Sequence, residues 1–383
     1  MTILKNSRGI GSLSSLLGDG LRSLDITEAE YNRAVDHYAG LGDTFAEHWD
    51  HTRGDNVITP QGSFALGTVV RNVHRNDEID LDAVAVRDVD RTSITQAALK
   101  EDAGVAVGKY ARSSSGGYPE VSECERCWTL HWGGMHLDLL PAIPNREPGQ
   151  GGILITDKDV REWLRSNPTG YADWFFEQMR EALTAALEAK RVQIDEVPEW
   201  QIKTTLQQTV QALKRHRDIY FAGHLEDRPA SIIITTLAAI SYTGGDDLYE
   251  VLRAVSGRVG SLVELRDGEW WVANPVQGAE NFADSWARPE RAVWFFRWIE
   301  AAEVDFNGFG VKAGLDYTVP LLASAFGDRV AKAASLGYGN GITSARSSQR
   351  LHVASGGALV AAPAVAPATR KVQGHGFEGG SAN

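Results

Sequence analysis

One stretch, Gly62 to Val86 (GSFALGTVVRNVHRNDEIDLDAVAV), limits the folds open to this chain more than any other. It begins with a Gly-Ser pair that reads as a tight turn and ends in an apolar run interrupted by Asp80 and Asp82. Side chains two apart on a β-strand share a face, so the two aspartates project together while Ile79 and Leu81 point the other way, into a core. Neighbouring carboxylates repel and lose hydration unless a cation or a proton lies between them. A divalent ion meets that need most simply. Magnesium takes one or two carboxylates and completes its shell with water and substrate phosphates. Glu78 falls on the same face of a regular strand, so spacing alone leaves open which two of the three acids bind metal.

A third acid stands alone in the apolar run His136-Leu137-Asp138-Leu139-Leu140-Pro141, 56 residues beyond Asp82. This run reads as a strand ended by Pro141. Placed beside the first strand, Asp138 faces the same pocket. Two ions about 4 Å apart, bridged by such carboxylates, stabilise both the attacking and the leaving oxygen of an in-line displacement.

A Gly-Ser turn, a spacer, two aspartates alternating with apolar residues, and a later isolated aspartate form the pattern of polymerase-β-type nucleotidyltransferases. Together with QGSFALGTVVR, DEIDLDAV, HLDLLPAIP, SNPTGYADWF, LQQTVQALKRHRDIYF and NPVQGAENFADSW, it resembles the bacterial cGAS/DncV-like nucleotidyltransferases. These enzymes make cyclic oligonucleotide signals in anti-phage defence. The resemblance runs from about Thr27 to about Gly327. It implies an α/β (α+β) fold: a two-lobed polymerase-β-type core with a mainly helical second lobe, the nucleotide lying between. It selects Asp80 and Asp82 as ligands of two Mg²⁺ ions, for which Mn²⁺ substitutes, and Asp138 as the third carboxylate. It assigns Gly62 and Ser63 to the triphosphate, with Gln61 and Arg71 assisting, and gives Lys214 a place on the phosphates.

The residues around these positions add their own expectations. Lys214-Arg215-His216-Arg217 crowds the C-terminal half of a helix expected from Trp200 to Phe221. Such cations are commonly there to meet the helix dipole; a functional reading turns one of them to a phosphate. Ser231, near the start of the next helix, could hold a phosphate with help from that helix's N-terminus. Tyr242 stacks on a base or serves as a core tyrosine. Cys124 and Cys127 precede His131 and His136, but zinc fingers separate their pairs by about a dozen residues rather than three.

Thr27-x-x-Glu30 reads as a capping box that opens a helix with Tyr31, Ala34, Val35, Tyr38, Leu41, Phe45 and Trp49 at helical spacing. The chain then divides into a flexible N-terminal segment (1–25), a catalytic lobe (26–195), a helical lobe (196–335) and a tail (336–383). The tail is rich in Gly, Ala and Ser, and disorder is expected there. The net charge of −12 argues against binding of long nucleic acid, which depends on phosphate neutralisation by Lys and Arg. No run approaches a membrane span. No secretory signal opens the chain, and two cysteines give no disulfide framework, so a cytoplasmic setting is expected.

The function expected is synthesis of a cyclic di- or trinucleotide from NTPs, ATP among them, the product being read by a separate effector protein. Two other readings stand beside it. One is transfer of a nucleotide to an RNA end, a protein or a small molecule; the other is a nucleotide-binding module without turnover.

Overall fold

The computed structural model describes residues 12–51, 57–71, 78–113, 115–147, 151–158, 163–184, 202–312, 314–354, 359–361 and 369–371. One body is built on a seven-stranded mixed sheet of β1 (Ile58–Gln61), β2 (Ile79–Val86), β3 (Glu120–Glu123), β4 (Trp128–Trp132), β5 (Met135–Pro144), β6 (Ile153–Ile155) and β7 (Leu164–Ser166). The spatial order is β1-β2-β5-β4-β3, with β6 and β7 continuing from β5. β2 and β5 run parallel in register, Asp80 opposite His136 and Asp82 opposite Asp138, while β1 and β4 flank them antiparallel.

Period-two alternation sorts the strand residues as the sequence requires. Ile79, Leu81 and Ala83 of β2 and Leu137 and Leu139 of β5 are buried. They lie in one core with Ala34, Tyr38, Leu41 and Phe45 of α2 (Glu28–His48). Helix α2 begins at the expected capping box: Thr27 N–H donates to Glu30 Oε2 (2.6 Å), and Glu30 N–H to Thr27 Oγ1 (3.2 Å). Burying side chains such as Leu41 and Phe45 contributes about 1.5–3 kcal/mol each. β5 does not stop at Pro141: that residue donates nothing to the ladder, its carbonyl accepts from Thr156 N–H (3.4 Å), and the strand continues to Pro144.

The second body is helical. Its axis is α6 (Thr205–Tyr220), shorter at its start than the Trp200 expected from sequence, and opened by a second capping box between Thr204 and Gln207. The preceding elements are α1 (Leu13–Leu21), the short α3 (Gly62–Ala65), α4 (Gln96–Ala111) against the sheet, and α5 (Pro168–Glu177). After α6 come α7 (Ser231–Ser241), α8 (Leu248–Val259), α9 (Pro289–Gly308), α10 (Leu315–Phe326) and α11 (Asp328–Ser347).

Both ends of the chain differ from expectation. Residues 1–25 are expected as a loose segment with a short helix around Leu13 to Leu17; the helix is there but longer, α1, and it is packed: Leu13, Leu16, Leu17, Leu21 and Leu24 are buried in the helical core beside Val330, Ala331 and Ala334 of α11. A Cβ on Gly20 would stand 2.9 Å from Val330 Cγ1, and one on Gly337 would overlap Asp19. The glycines therefore let α1 and α11 pack closely. The same composition that suggested disorder after residue 335 builds this contact, and α11 continues unbroken to Ser347. Beyond it, Leu351–Ala354 pairs with Leu359–Ala361 and Thr369–Lys371; the rest of the expected tail lies outside the described residues. The helical core also takes Tyr171, Phe175 and Met179 from residues assigned by sequence to the catalytic lobe. Among the described residues, no helix is long and apolar enough to cross a membrane.

Candidate active site

The sheet face opposite the core carries two polar rows across the strands. Asp80, His136 and His131 occupy one, on β2, β5 and β4; Asp82, Asp138 and Thr129 occupy the other. Neighbouring strands lie about 4.8 Å apart, so Asp138 stands beside Asp82 although 56 residues separate them. Thr129 Oγ1 donates to Asp138 Oδ1 at 2.6 Å and fixes that carboxyl. Tyr38 O–H donates to the Asp82 carbonyl at 3.2 Å and pins the strand from behind.

The rows face a cleft of about 580 Å³ between the two bodies, within the range of small-molecule sites. Gln61, Gly62 and Ser63 line it on one side. Gly62 has φ +61°, and a Cβ there would overlap the Asp82 carboxylate. Only glycine permits this turn so close to the acid. The loop that follows is held by one face of α6. Gln207 Nε2 donates to Leu66 O (3.0 Å), Gln211 Nε2 to Val69 O (2.7 Å) and Lys214 Nζ to Thr68 O (3.2 Å). Arg71 turns away from the cleft to Glu30 Oε1, 3.1 Å distant.

The opposite wall is basic. Lys214, Arg217 and Arg228 line it together with Asp218 and Ser231. Arg217 is buried; its Nε and NH2 donate to Asp218 Oδ1 (2.9 and 2.7 Å), and its NH1 to Pro229 O (3.1 Å) and Ser231 Oγ (2.9 Å). Ser231 is the first residue of α7, as expected near a helix start. Tyr242 is buried away from the cleft lining, its hydroxyl 3.1 Å from Thr205 Oγ1, so it is the core tyrosine of the two readings.

Charge placement explains the proton affinities. Burial, then repulsion by Asp138 and Asp80, pushes the Asp82 carboxyl up to about 6. Burial, then Arg217, pushes the Lys214 ammonium down to about 7, against the opposing pull of Asp218, Asp82 and Asp80. Each side of the cleft thus holds charge that a complementary guest would relieve. The acids offer hard oxygen donors to a divalent cation, and the bases offer donors to phosphate.

Arg228 and Thr129 were not singled out by sequence reasoning, and Arg217 only as one of the cations of the Lys214–Arg217 cluster. Lys214 and Arg217 stand three apart on a helix and so share a face, a signal that was available. Thr129 owes its role to β4 pairing with β5, which no local motif encodes. Cys124 and Cys127 flank the β3–β4 turn, Cys124 N–H donating to Cys127 O (3.0 Å). Neither belongs to a metal-capable cluster among the described residues.

No family model matches the chain. It is 28% identical over 344 residues to a c-di-GMP synthase of Roseivirga ehrenbergii, spanning 86% of this chain and 87% of that protein. It is 26% identical over 336 residues to the cyclic dinucleotide synthase CdnG of Bradyrhizobium diazoefficiens, spanning 80% and 78%. The solved structure of that CD-NTase, in complex with GTP, superposes with a TM-score of 0.67 at 22% identity, covering 85% of this chain and 99% of the other.

Proposed function

From the premise that this chain is a cGAS/DncV-like nucleotidyltransferase, we propose that it joins two nucleoside triphosphates into a cyclic dinucleotide. In each of two steps a ribose hydroxyl attacks an α-phosphorus. The new O–P bond forms, the bond to the β-phosphate bridge breaks, pyrophosphate leaves and the hydroxyl proton passes to solvent. The observation that carries this reading is the pairing of an acidic face, Asp80, Asp82 and Asp138, with a basic wall across one cleft.

The raised proton affinity of Asp82 and the oxygen-only donor set fit a pair of Mg²⁺ ions, with Mn²⁺ as substitute. Held there, divalent ions would neutralise phosphate charge and make a hydroxyl more acidic. Asp82 sits at the centre of the donor set, between Asp80 and Asp138. Thr129 keeps Asp138 turned toward the attacking hydroxyl. Gly62 and Ser63 face the triphosphate from the loop, while Lys214 and Arg217 meet it from α6 and Ser231 from α7. Arg228, at the open side, joins them as phosphate arrives.

The curated relatives' names favour a dinucleotide over a trinucleotide, and that of the c-di-GMP synthase favours guanine as a base. Glu280 and Asn274 line the cleft, Asn274 Nδ2 donating to Glu280 Oε2 at 2.7 Å. A carboxylate suits the two N–H donors on guanine's pairing edge, and we assign Glu280 that role. A defence signal read by a separate effector remains the biological setting this reading carries.

The test is incubation of the protein with labelled NTPs and Mg²⁺ or Mn²⁺. A phosphatase-resistant small product is expected, and its loss in Asp80→Asn plus Asp82→Asn. Product that persists in that double variant refutes the assignment.

A further inference from the structure

The first polar row ends in a group that the proposed reaction leaves without a task. Glu78 precedes β2 on the same face as Asp80, and its Oε2 lies 3.0 Å from His131 Nδ1 and 3.4 Å from His136 Nδ1. The two histidines are direct cross-strand partners in the β4–β5 hairpin. All three donor atoms fall within 4.8 Å of one another, and each residue is half-buried.

We propose that Glu78, His131 and His136 form a third metal site, specific for a borderline transition metal of the Zn²⁺ class and distinct from the aspartate pair. Its geometry is already close to a coordination shell. A tetrahedron with metal–ligand bonds of about 2.0–2.1 Å has edges of about 3.3 Å, and two of the three edges measure 3.0 and 3.4 Å. Two imidazoles and one carboxylate, with a fourth position open, match the donor sets that zinc accepts. Magnesium prefers an all-oxygen shell and dehydrates reluctantly, so the donors separate this site from the neighbouring carboxylates.

The surroundings suit entry and orientation. The hairpin turn is Gly133-Gly134, both exposed, and among the described residues nothing lies within 4 Å of where a Cβ would stand on either, so the site opens to solvent at the turn. Ile79 N–H donates to Gly134 O (3.0 Å), which fixes Glu78 beside the turn. With Nδ1 on the metal, His136 presents Nε2–H toward Asp80 Oδ1, 3.5 Å away. A carboxylate behind a metal-bound imidazole is the usual outer partner of such sites. Here that carboxylate is also one of the acids on the cleft, so an occupied site biases Asp80 toward the histidine.

The test uses the full chain without nucleotide, titrated with Co²⁺ in excess Mg²⁺ and followed by visible absorption. One Co²⁺ per chain is expected at micromolar concentration, displaced by one equivalent of Zn²⁺. His131→Ala and Glu78→Gln should each weaken it by more than the roughly 10–100-fold that loss of an outer partner costs. Asp82→Asn should keep it, which separates this site from the proposed catalytic ions: synthesis can fail while Co²⁺ binding stands, and the reverse. Circular dichroism checks folding, and if His131→Ala unfolds the protein, Glu78→Gln decides. Absence of Co²⁺ binding in the wild type, binding unchanged in both site variants, or binding lost only with Cys124→Ser plus Cys127→Ser overturns the proposal.

Discussion

Asp82 and Lys214 are each held against their ordinary protonation preference, and in opposite directions. The Asp82 carboxyl, raised to about 6, disfavours the folded state as it ionises between its unfolded value near 3.8 and 6; below that window the cost is absent. The Lys214 ammonium, lowered to about 7, disfavours folding below 7, and the cost fades as pH rises toward 10.5. Both costs coincide near neutral pH. Asp82→Asn is therefore expected to raise the stability of the nucleotide-free protein at pH 7 by about 1–2 kcal/mol, after discounting for cleft water; Lys214→Met relieves a similar cost but also loses the hydrogen bond to buried Thr68 O, so its net gain should be smaller. Urea unfolding across pH checks this: the Asp82→Asn gain should shrink as pH falls from about 6 and be gone below about pH 4, and the charge relief in Lys214→Met should shrink as pH rises from about 7 and be gone above about pH 10. Both variants should lose synthesis. A second expectation at this scale concerns Glu280: Glu280→Gln keeps the shape but replaces an acceptor with a donor, so GTP use should fall by about tenfold or more against ATP, read from competition between the two. A third is Gly62→Ala. Its methyl would meet the Asp82 carboxylate, so synthesis should collapse while circular dichroism stays near wild type.

At the scale of elements, the parts fixed by local chemistry were legible and those fixed by partners were not. The capping box at Thr27, the alternation along β2 and the strand around Asp138 could be read directly, because each rests on spacing within a few residues. The adjacency of β2 and β5 followed from the need to gather three acids, and the register bears it out. The α1–α11 pairing was missed because its close approach rests on Gly20 and Gly337 and the alanines of α11, which mean loose chain in isolation and close packing when another helix arrives. That seam makes a prediction: Gly337→Leu, forced against Asp19, should destabilise by about 1–3 kcal/mol, as overpacking does. Chemical denaturation would show it, and an unchanged midpoint would mean that the two helices do not meet there. Tyr242 was ambiguous for a similar reason, since an aromatic at helical spacing carries no mark of which wall it faces.

At the scale of the whole molecule, the cleft sets an acidic face against a basic wall in a chain whose net charge is −12. Global acidity and a local basic wall are compatible, since fields from exposed charges fade within about 10 Å at 0.1 M salt. The side chains of α6 that secure the loop after Ser63 belong to the body opposite the sheet. Gln207, Gln211 and Lys214 therefore act with residues 66–69 as one mechanical unit. A chimera that borrowed its sheet from one relative and its helices from another would misplace the Gly62-Ser63 turn unless both halves of that unit came from the same parent.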